Sequence, residues 1–243
     1  MEPFNHKATF TCTDPPHPEW KPAENQPLPA PFSSTREAVY TAAELKREMY
    51  SLLISAVVPR PIALVSTIGG DAGAPANLAP FSYYTIICHD PPTLMLSINY
   101  ARGKPKDTLI NIKETGQFVI NSFNEHFVES ANHCSIPAPY PIEENTLSGL
   151  TLIPSNFIKP PRCKEALLSF ECTLSHSHDV ENDAGDVVTC VVFGRVVGMT
   201  VKNEVMDAQS RVVDLALFRP VSRLGGNIYG RTVSGYEIKR PSA

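Results

Sequence analysis

The 243-residue chain is 42% hydrophobic and 19% charged with a formal net charge of -4, the make-up of an ordinary globular protein with no electrostatic footprint for nucleic acid. No apolar run reaches the roughly 18 residues of a membrane span, and the N-terminal MEPFNHKATF lacks the basic flank and apolar block of a secretory signal, so the expectation is a cytoplasmic protein with no membrane partner. The six cysteines form no C-x-x-C pair and most sit in apolar runs, which argues against structural zinc and against a disulfide framework.

In chain order, residues 1–36 come first as a proline-rich arm: Pro15, Pro16, Pro18, Pro22, Pro27, Pro29 and Pro31 exclude regular helix. Trp20 and Phe32 would let the arm lie along the domain or a partner subunit, while a loose extension fits the same composition. Residues 37–243 form one principal domain. It opens with a helix, because Thr41 and Glu44 have capping-box spacing and Leu45, Met49, Leu52 and Leu53 share a helical face; Pro59 and Pro61 end it.

Strands then dominate. Residues 62–67, 78–87, 93–100, 117–123, 167–180 and 186–201 are rich in β-branched and aromatic residues with turn formers between them. Short helices are predicted at 108–115, closed by Gly116, and at 124–134, and NDAG (182–185) marks a hairpin tip. The strands do not alternate with helices, which predicts a closed, mostly antiparallel, mainly β barrel with helices packed outside it.

The common dinucleotide, P-loop, hydrolase and zincin signatures are all missing, and no catalytic residue is marked. His176 and His178 would share a strand face near Asp179, a conceivable metal pair that a polar outer strand face explains equally well, so no metal site is assigned. The positive signal is KPKDTLINIKETG (104–116). Its predicted helix start offers free N–H groups, the Thr108 hydroxyl and the ammonium of Lys104 or Lys106 to an anion, with Asp107 as helix cap. A capped helix with solvated lysines is the alternative reading of the same residues. Upstream, Asn77 and Ser82 flank Ala79, Pro80 and Phe81 in a nearly uncharged stretch suited to a flat heteroaromatic ring, or to strand packing.

Taken together, PRPIALVST, NLAPFSYY, DPPTLMLSIN, KPKDTLINIKETGQFVIN and FRPVSRLGGNIYG resemble the flavin reductase-like family, the FMN-binding split β-barrels with peripheral helices, across about residues 50–229. The resemblance implies FMN, in preference to FAD, at the barrel edge near a homodimer interface. It implies that Ser66, Thr67, Asn77, Leu78, Ala79, Pro80, Phe81 and Ser82 meet the flavin ring and ribityl chain, and that Ser97, Ile98 and Asn99 approach from the neighbouring strand. Lys104, Lys106, Asp107 and Thr108 would form the phosphate end, with Arg223 and Tyr229 in a closing C-terminal block. The arm has no counterpart in the minimal family pattern.

The expected activity is that of an FMN-dependent oxidoreductase taking hydride from NAD(P)H and passing electrons to free flavin, oxygen or a small organic acceptor. Two alternatives stand beside it: an FMN-dependent enzyme acting on a specific metabolite, with the arm and the loop 135–146 shaping its pocket, and a non-catalytic flavin-binding or electron-carrier protein.

Overall fold

A computed structural model describes residues 2–26, 28–32, 37–137 and 142–241. Pro27 of the arm and residues 138–141 of the loop 135–146 therefore lie outside the described residues.

The arm contributes one short strand, β1 (Thr11–Thr13), and the domain opens on helix α1 (Met49–Ala56). The barrel begins with β2 (Arg60–Pro61), β3 (Ala63–Ile68), β4 (Ala76–Phe81), β5 (Tyr84–His89) and β6 (Pro92–Asn99). Helix α2 (Asp107–Thr115) leads into β7 (Gln117–Ser122), and α3 (Val128–His133), α4 (Glu144–Ser148), β8 (Leu152–Ile153) and β9 (Arg162–Cys163) fill the crossover. The long hairpin β10 (Leu168–Glu181) and β11 (Val187–Val201) follows, then α5 (Leu215–Phe218), β12 (Val221–Arg223), β13 (Tyr229–Arg231) and β14 (Ser234–Tyr236).

Seven strands form one antiparallel sheet in the order β4-β3-β7-β10-β11-β6-β5. Val65, Leu96, Ile98, Phe118, Ile120 and Val192 alternate inward along their strands and make its buried core. Gly194 is required there, since a Cβ would come within 2.4 Å of the Phe118 ring. On the sheet's other face Leu64, Leu78, Phe123, Phe127 and Ala131 form a second core beneath α3.

The barrel is split, as the resemblance implies, and only the closed ladder read from the strand pattern alone is corrected. The sheet curls until Ala79 and Phe81 of β4 pack against the residues of β6, but β4 and β5 remain its hydrogen-bonding edges. The single run predicted over 78–87 breaks at Ser82 and Tyr83, where the Tyr83 carbonyl accepts the Ser97 N–H and the chain turns into β5. This corner is the split.

One helix prediction also differs in detail. The Thr41–Glu44 capping box forms, with Thr41 N–H donating to Glu44 at 2.6 Å, yet the residues after it make only turns and regular helix starts at Met49. Residues 42–48 stay mostly exposed, so no packed face reinforces the box. The 108–115 prediction stands as α2, closed by Gly116 at φ 68°. Trp20 and Phe32 of the arm are exposed, whereas residues nearer its start dock on the C-terminal segment, with β1 pairing in parallel with β14.

Candidate functional site

The corner between β4 and β5 opens a cavity of about 220 Å³. Pro80, Phe81, Ser82 and Tyr83 supply one wall, and Ser97 and Asn99 of β6 another. Period-two alternation aims those two side chains the same way, and both meet Thr189 on β11, Ser97 at 3.2 Å and Asn99 at 2.9 Å. Tyr50 and Ile54 of α1 close a third side, with Arg60, Lys106 and Arg223 around them.

Those three cations set the electrostatics. Arg60 is buried at 8% exposure and donates to the carbonyls of Ile54, Val57 and Leu224, tying the end of α1 to the C-terminal block. Its Nε has no hydrogen-bond partner. Lys106 is an exposed residue overall, but its ammonium is partly desolvated, with Nζ 5.4 Å from the Phe81 ring centroid, and that desolvation holds its pKa below the ordinary lysine value. Arg223 lies 4.5 Å over the Tyr229 ring. None of the three makes an ion pair among the described residues, and the cavity wall carries no carboxylate. Three uncompensated cations beside an aromatic wall call for an anion joined to a ring system, with a buried, unpartnered N–H among the donors.

A second cavity of about 280 Å³ shares Pro80, Phe81, Ser82 and Arg223 with the first and adds Ile62, Asn132 and Tyr229. The Tyr229 ring lies nearly parallel to Phe123, 6.2 Å away, and its hydroxyl donates to Asn132 at 2.6 Å.

Of the residues singled out in the sequence, the structure brings Pro80, Phe81, Ser82, Ser97, Asn99, Lys106, Arg223 and Tyr229 together around these two cavities. Others it directs elsewhere. Ser66 is buried and bonded to the Pro161 carbonyl and to Asn121, and strand alternation turns it away from its neighbour Thr67. Thr67, Asn77 and Thr108 bond one another: Asn77 Nδ2 donates to Thr108 at 2.8 Å and to Thr67 at 3.3 Å, while Asn111 donates to Thr67 at 3.1 Å. That network pins α2 onto β3 and β4. Leu78 and Ile98 belong to the two cores, Ala79 packs on the barrel interior, and Lys104 sits exposed on a turn whose ends pair with Ala101. Asp107 is not the helix cap. The N-cap is Lys106, without a side-chain cap bond, and Asp107 stands at the first helical position, where its charge meets the helix dipole.

Sequence reasoning missed Arg60, Tyr50, Ile54 and Tyr83. Arg60 had a signal, as the arginine heading an otherwise nearly uncharged stretch. On the other side of α2 a cavity of about 260 Å³ is lined by Asp71, Asp107, Glu114 and Glu144. Glu144 is buried there, accepts the Leu78 N–H at 3.0 Å, and has its pKa raised, first by burial and then by the neighbouring Asp107 and Glu143. The buried cysteines are packing groups: burial pushes Cys163 and Cys172 up to about 12. His176 packs on Phe193 at 5.8 Å, and Asp179 pairs with Lys113 at 3.2 Å.

Comparison with known proteins places this geometry. The flavin reductase-like domain matches residues 55–218. An uncharacterised Bacillus subtilis protein, YwrF, is 34% identical over 205 residues, covering 84% of this chain and 99% of its own. Among solved structures, nitrilotriacetate monooxygenase component B from Bacillus cereus superposes with a TM-score of 0.76 at 28% identity, over 82% of this chain and 96% of its own. The 2-nitrobenzoate 2-nitroreductase NbaA of Pseudomonas fluorescens gives 0.74 at 31% identity, over 85% and 97%.

Proposed function

The chain belongs to the flavin reductase-like domain family, a class of flavin-linked oxidoreductases, and from that premise we propose that it binds FMN at the β4–β5 corner and passes electrons from NADH or NADPH to an acceptor. The observation that carries the assignment is the cluster of Arg60, Lys106 and Arg223 without a carboxylate, next to a neutral wall of Pro80, Phe81 and Ser82. A phosphorylated flavin has that division of character.

The residues fit such a group. Lys106 and the free N–H groups at the start of α2 would hold the phosphate. The unpartnered Arg60 Nε would gain its missing acceptor. Ser82, Ser97 and Asn99 would offer neutral hydrogen bonds to the ring edge and ribityl hydroxyls, and Tyr229, fixed by Phe123 and Asn132, would border its open side. Hydride transfer is the chemistry the flavin supplies when bound, so the protein needs placement and access rather than a catalytic dyad.

The site is shallow on one chain. Tyr50, Leu52 and Leu53 of α1 and Ile86 and Ile87 of the edge strand β5 are exposed beside it, which supports a homodimer whose second copy covers this rim. The two relatives named above for nitrilotriacetate and 2-nitrobenzoate chemistry favour a small organic acceptor or a partner enzyme over a purely carrier role. Anaerobic mixing of the FMN-loaded protein with NADH tests the reading: loss of the flavin absorbance within seconds is expected, and a flavin that stays oxidised with both NADH and NADPH would leave the electron-carrier reading in its place.

A further inference from the structure

A cavity of about 840 Å³ lies one wall away from the proposed flavin site, sharing Asn132 and Tyr229 with it. Its roof is the start of the N-terminal arm. Arg231 holds that roof down: its guanidinium donates to the carbonyls of Asn5 and Ala8, lies 4.3 Å over the Phe4 ring, and forms an ion pair with Glu125. The parallel pairing of β1 with β14 fastens the next residues of the arm. A segment that composition reads as loose is thus bonded over a chamber.

Its walls join rings to a guanidinium that shares its carboxylate with a second arginine. Phe4 and His6 meet edge to face at 4.9 Å in the roof, and Tyr229 stands opposite in the shared wall. Glu125 is shared by two arginines: Arg231 holds it closely, while the Nη1 of Arg219 reaches the same carboxylate at 4.0 Å and its Nε donates to the Ala216 carbonyl, so two guanidiniums share one buried-side carboxylate. The choice of residue at 219 is itself informative. It is the left-handed C-cap of α5, at φ 45°, a position that glycine or asparagine fills with least strain. An arginine held in that conformation places a guanidinium on the chamber wall, and strained non-glycine backbone gathers where a side chain is needed for binding. Glu129 and His126 occupy the exposed rim.

We propose that this arm-roofed chamber binds a small aromatic carboxylate, its ring among Phe4, His6 and Tyr229 and its carboxylate on Arg219, as the site that presents an organic acceptor to the flavin. Only the acceptor role rests on the flavin reading above. The chamber makes a binding site whether or not flavin is reduced.

Benzoate, which is redox-inert, is the probe, titrated calorimetrically into the protein with and without FMN. The intact chain is expected to bind it, and acetate at least about tenfold more weakly. Arg219→Gly and Arg219→Asn, which both suit the backbone conformation, are expected to weaken benzoate about 10- to 100-fold, the loss of one charge-assisted contact. Deletion of residues 2–10 should weaken it too, while FMN affinity and thermal unfolding of the two point variants stay as in the parent. No benzoate binding by the intact chain, equal binding of acetate, or benzoate affinity untouched by both Arg219 variants would each overturn the proposal. Benzoate binding that persists in a protein without FMN affinity would instead sink the flavin assignment and leave the chamber standing.

Discussion

Two cavities flank the start of α2, and they carry opposite charge. Lys106 faces the pocket it shares with Arg60 and Arg223, and Asp107, the next residue, lines the one shared with Asp71, Glu114 and Glu144. One peptide step therefore separates a cationic site from an anionic one, and behind that step runs the Thr67–Asn77–Thr108 network, whose Asn77 also lines the anionic cavity. The lesson is that a motif such as KPKDT is not a list of ligands. A helix start projects successive side chains about 100° apart, so neighbours serve different surfaces.

The largest effect should come from the buried cation. Arg60→Met removes the donors to Ile54, Val57 and Leu224 together with the orphan Nε. Only the Ile54 bond is buried, the other two being part-buried, and leaving a buried carbonyl unpaired costs about 1–3 kcal/mol, so a fall in stability of about 2–3 kcal/mol is expected, seen as a lower denaturant midpoint. Asp71→Asn in the opposite cavity, at an exposed residue, should stay within about 0.5 kcal/mol of the parent. If the two variants behaved alike, the contrast between the cavities would be a matter of surface charge alone.

Next comes the adjacent pair. Lys106→Ala should weaken FMN about 10- to 100-fold and leave riboflavin nearly unchanged, because one charge-assisted contact to the phosphate is lost. Asp107→Asn should shift FMN affinity by no more than about threefold, in the tightening direction, through reduced repulsion. Fluorescence quenching of the two flavins by each variant is the measurement. Equal losses for both ligands would place Lys106 away from the phosphate.

A smaller effect probes the Thr67–Asn77–Thr108 network. Asn77→Ala should lower stability by about 1–2 kcal/mol while leaving the spectrum of bound flavin as it is, since Asn77 is bonded to Thr67 and Thr108 within the protein. A changed flavin spectrum without a stability loss would return Asn77 to the ligand.

This division also explains what the sequence discloses and what it hides. The barrel strands are legible because inward residues such as Val65, Leu96 and Ile120 recur at period two. Helix α2 is legible through Gly116, and the ring-side residues Pro80 to Ser82 through their neutral texture. The break at Ser82 and Tyr83 is hidden, because the whole run 78–87 has β character and the corner is imposed by pairing with β6. Thr108 and Asn77 look like ligands because polar residues beside a binding motif are indistinguishable, in one dimension, from those that fasten it to the sheet. Arg219 is hidden for another reason: its role depends on the carboxylate near it, Glu125, which comes from an element distant in the chain.

Burial penalises charge on both sides of α2, and pH separates the two sides by sign. For Glu144 the folded pKa is raised, so the folded protein holds the proton more tightly. Its charge costs nothing below the ordinary glutamate value, and stability falls as pH rises from there through the raised pKa. Glu144→Gln should remove that slope. For Lys106 the folded pKa is lowered, so the unfolded chain binds the extra proton. Stability of the ligand-free protein therefore rises with pH through the window between the lowered value and the ordinary lysine value. Binding of FMN reverses the preference at Lys106, because a phosphate favours the ammonium. Affinity should then be greatest below the lowered pKa and decline as pH climbs through the same window, by at most about tenfold for each unit by which binding raises that pKa. The residue is exposed overall and only its ammonium is partly desolvated, which keeps this the smallest of the effects. Riboflavin affinity should show no such decline, and Lys106→Ala should flatten the FMN profile. Parallel pH profiles for FMN and riboflavin in the parent protein would show that Lys106 does not meet the phosphate, and the cationic side of the comparison would then rest on Arg60 and Arg223.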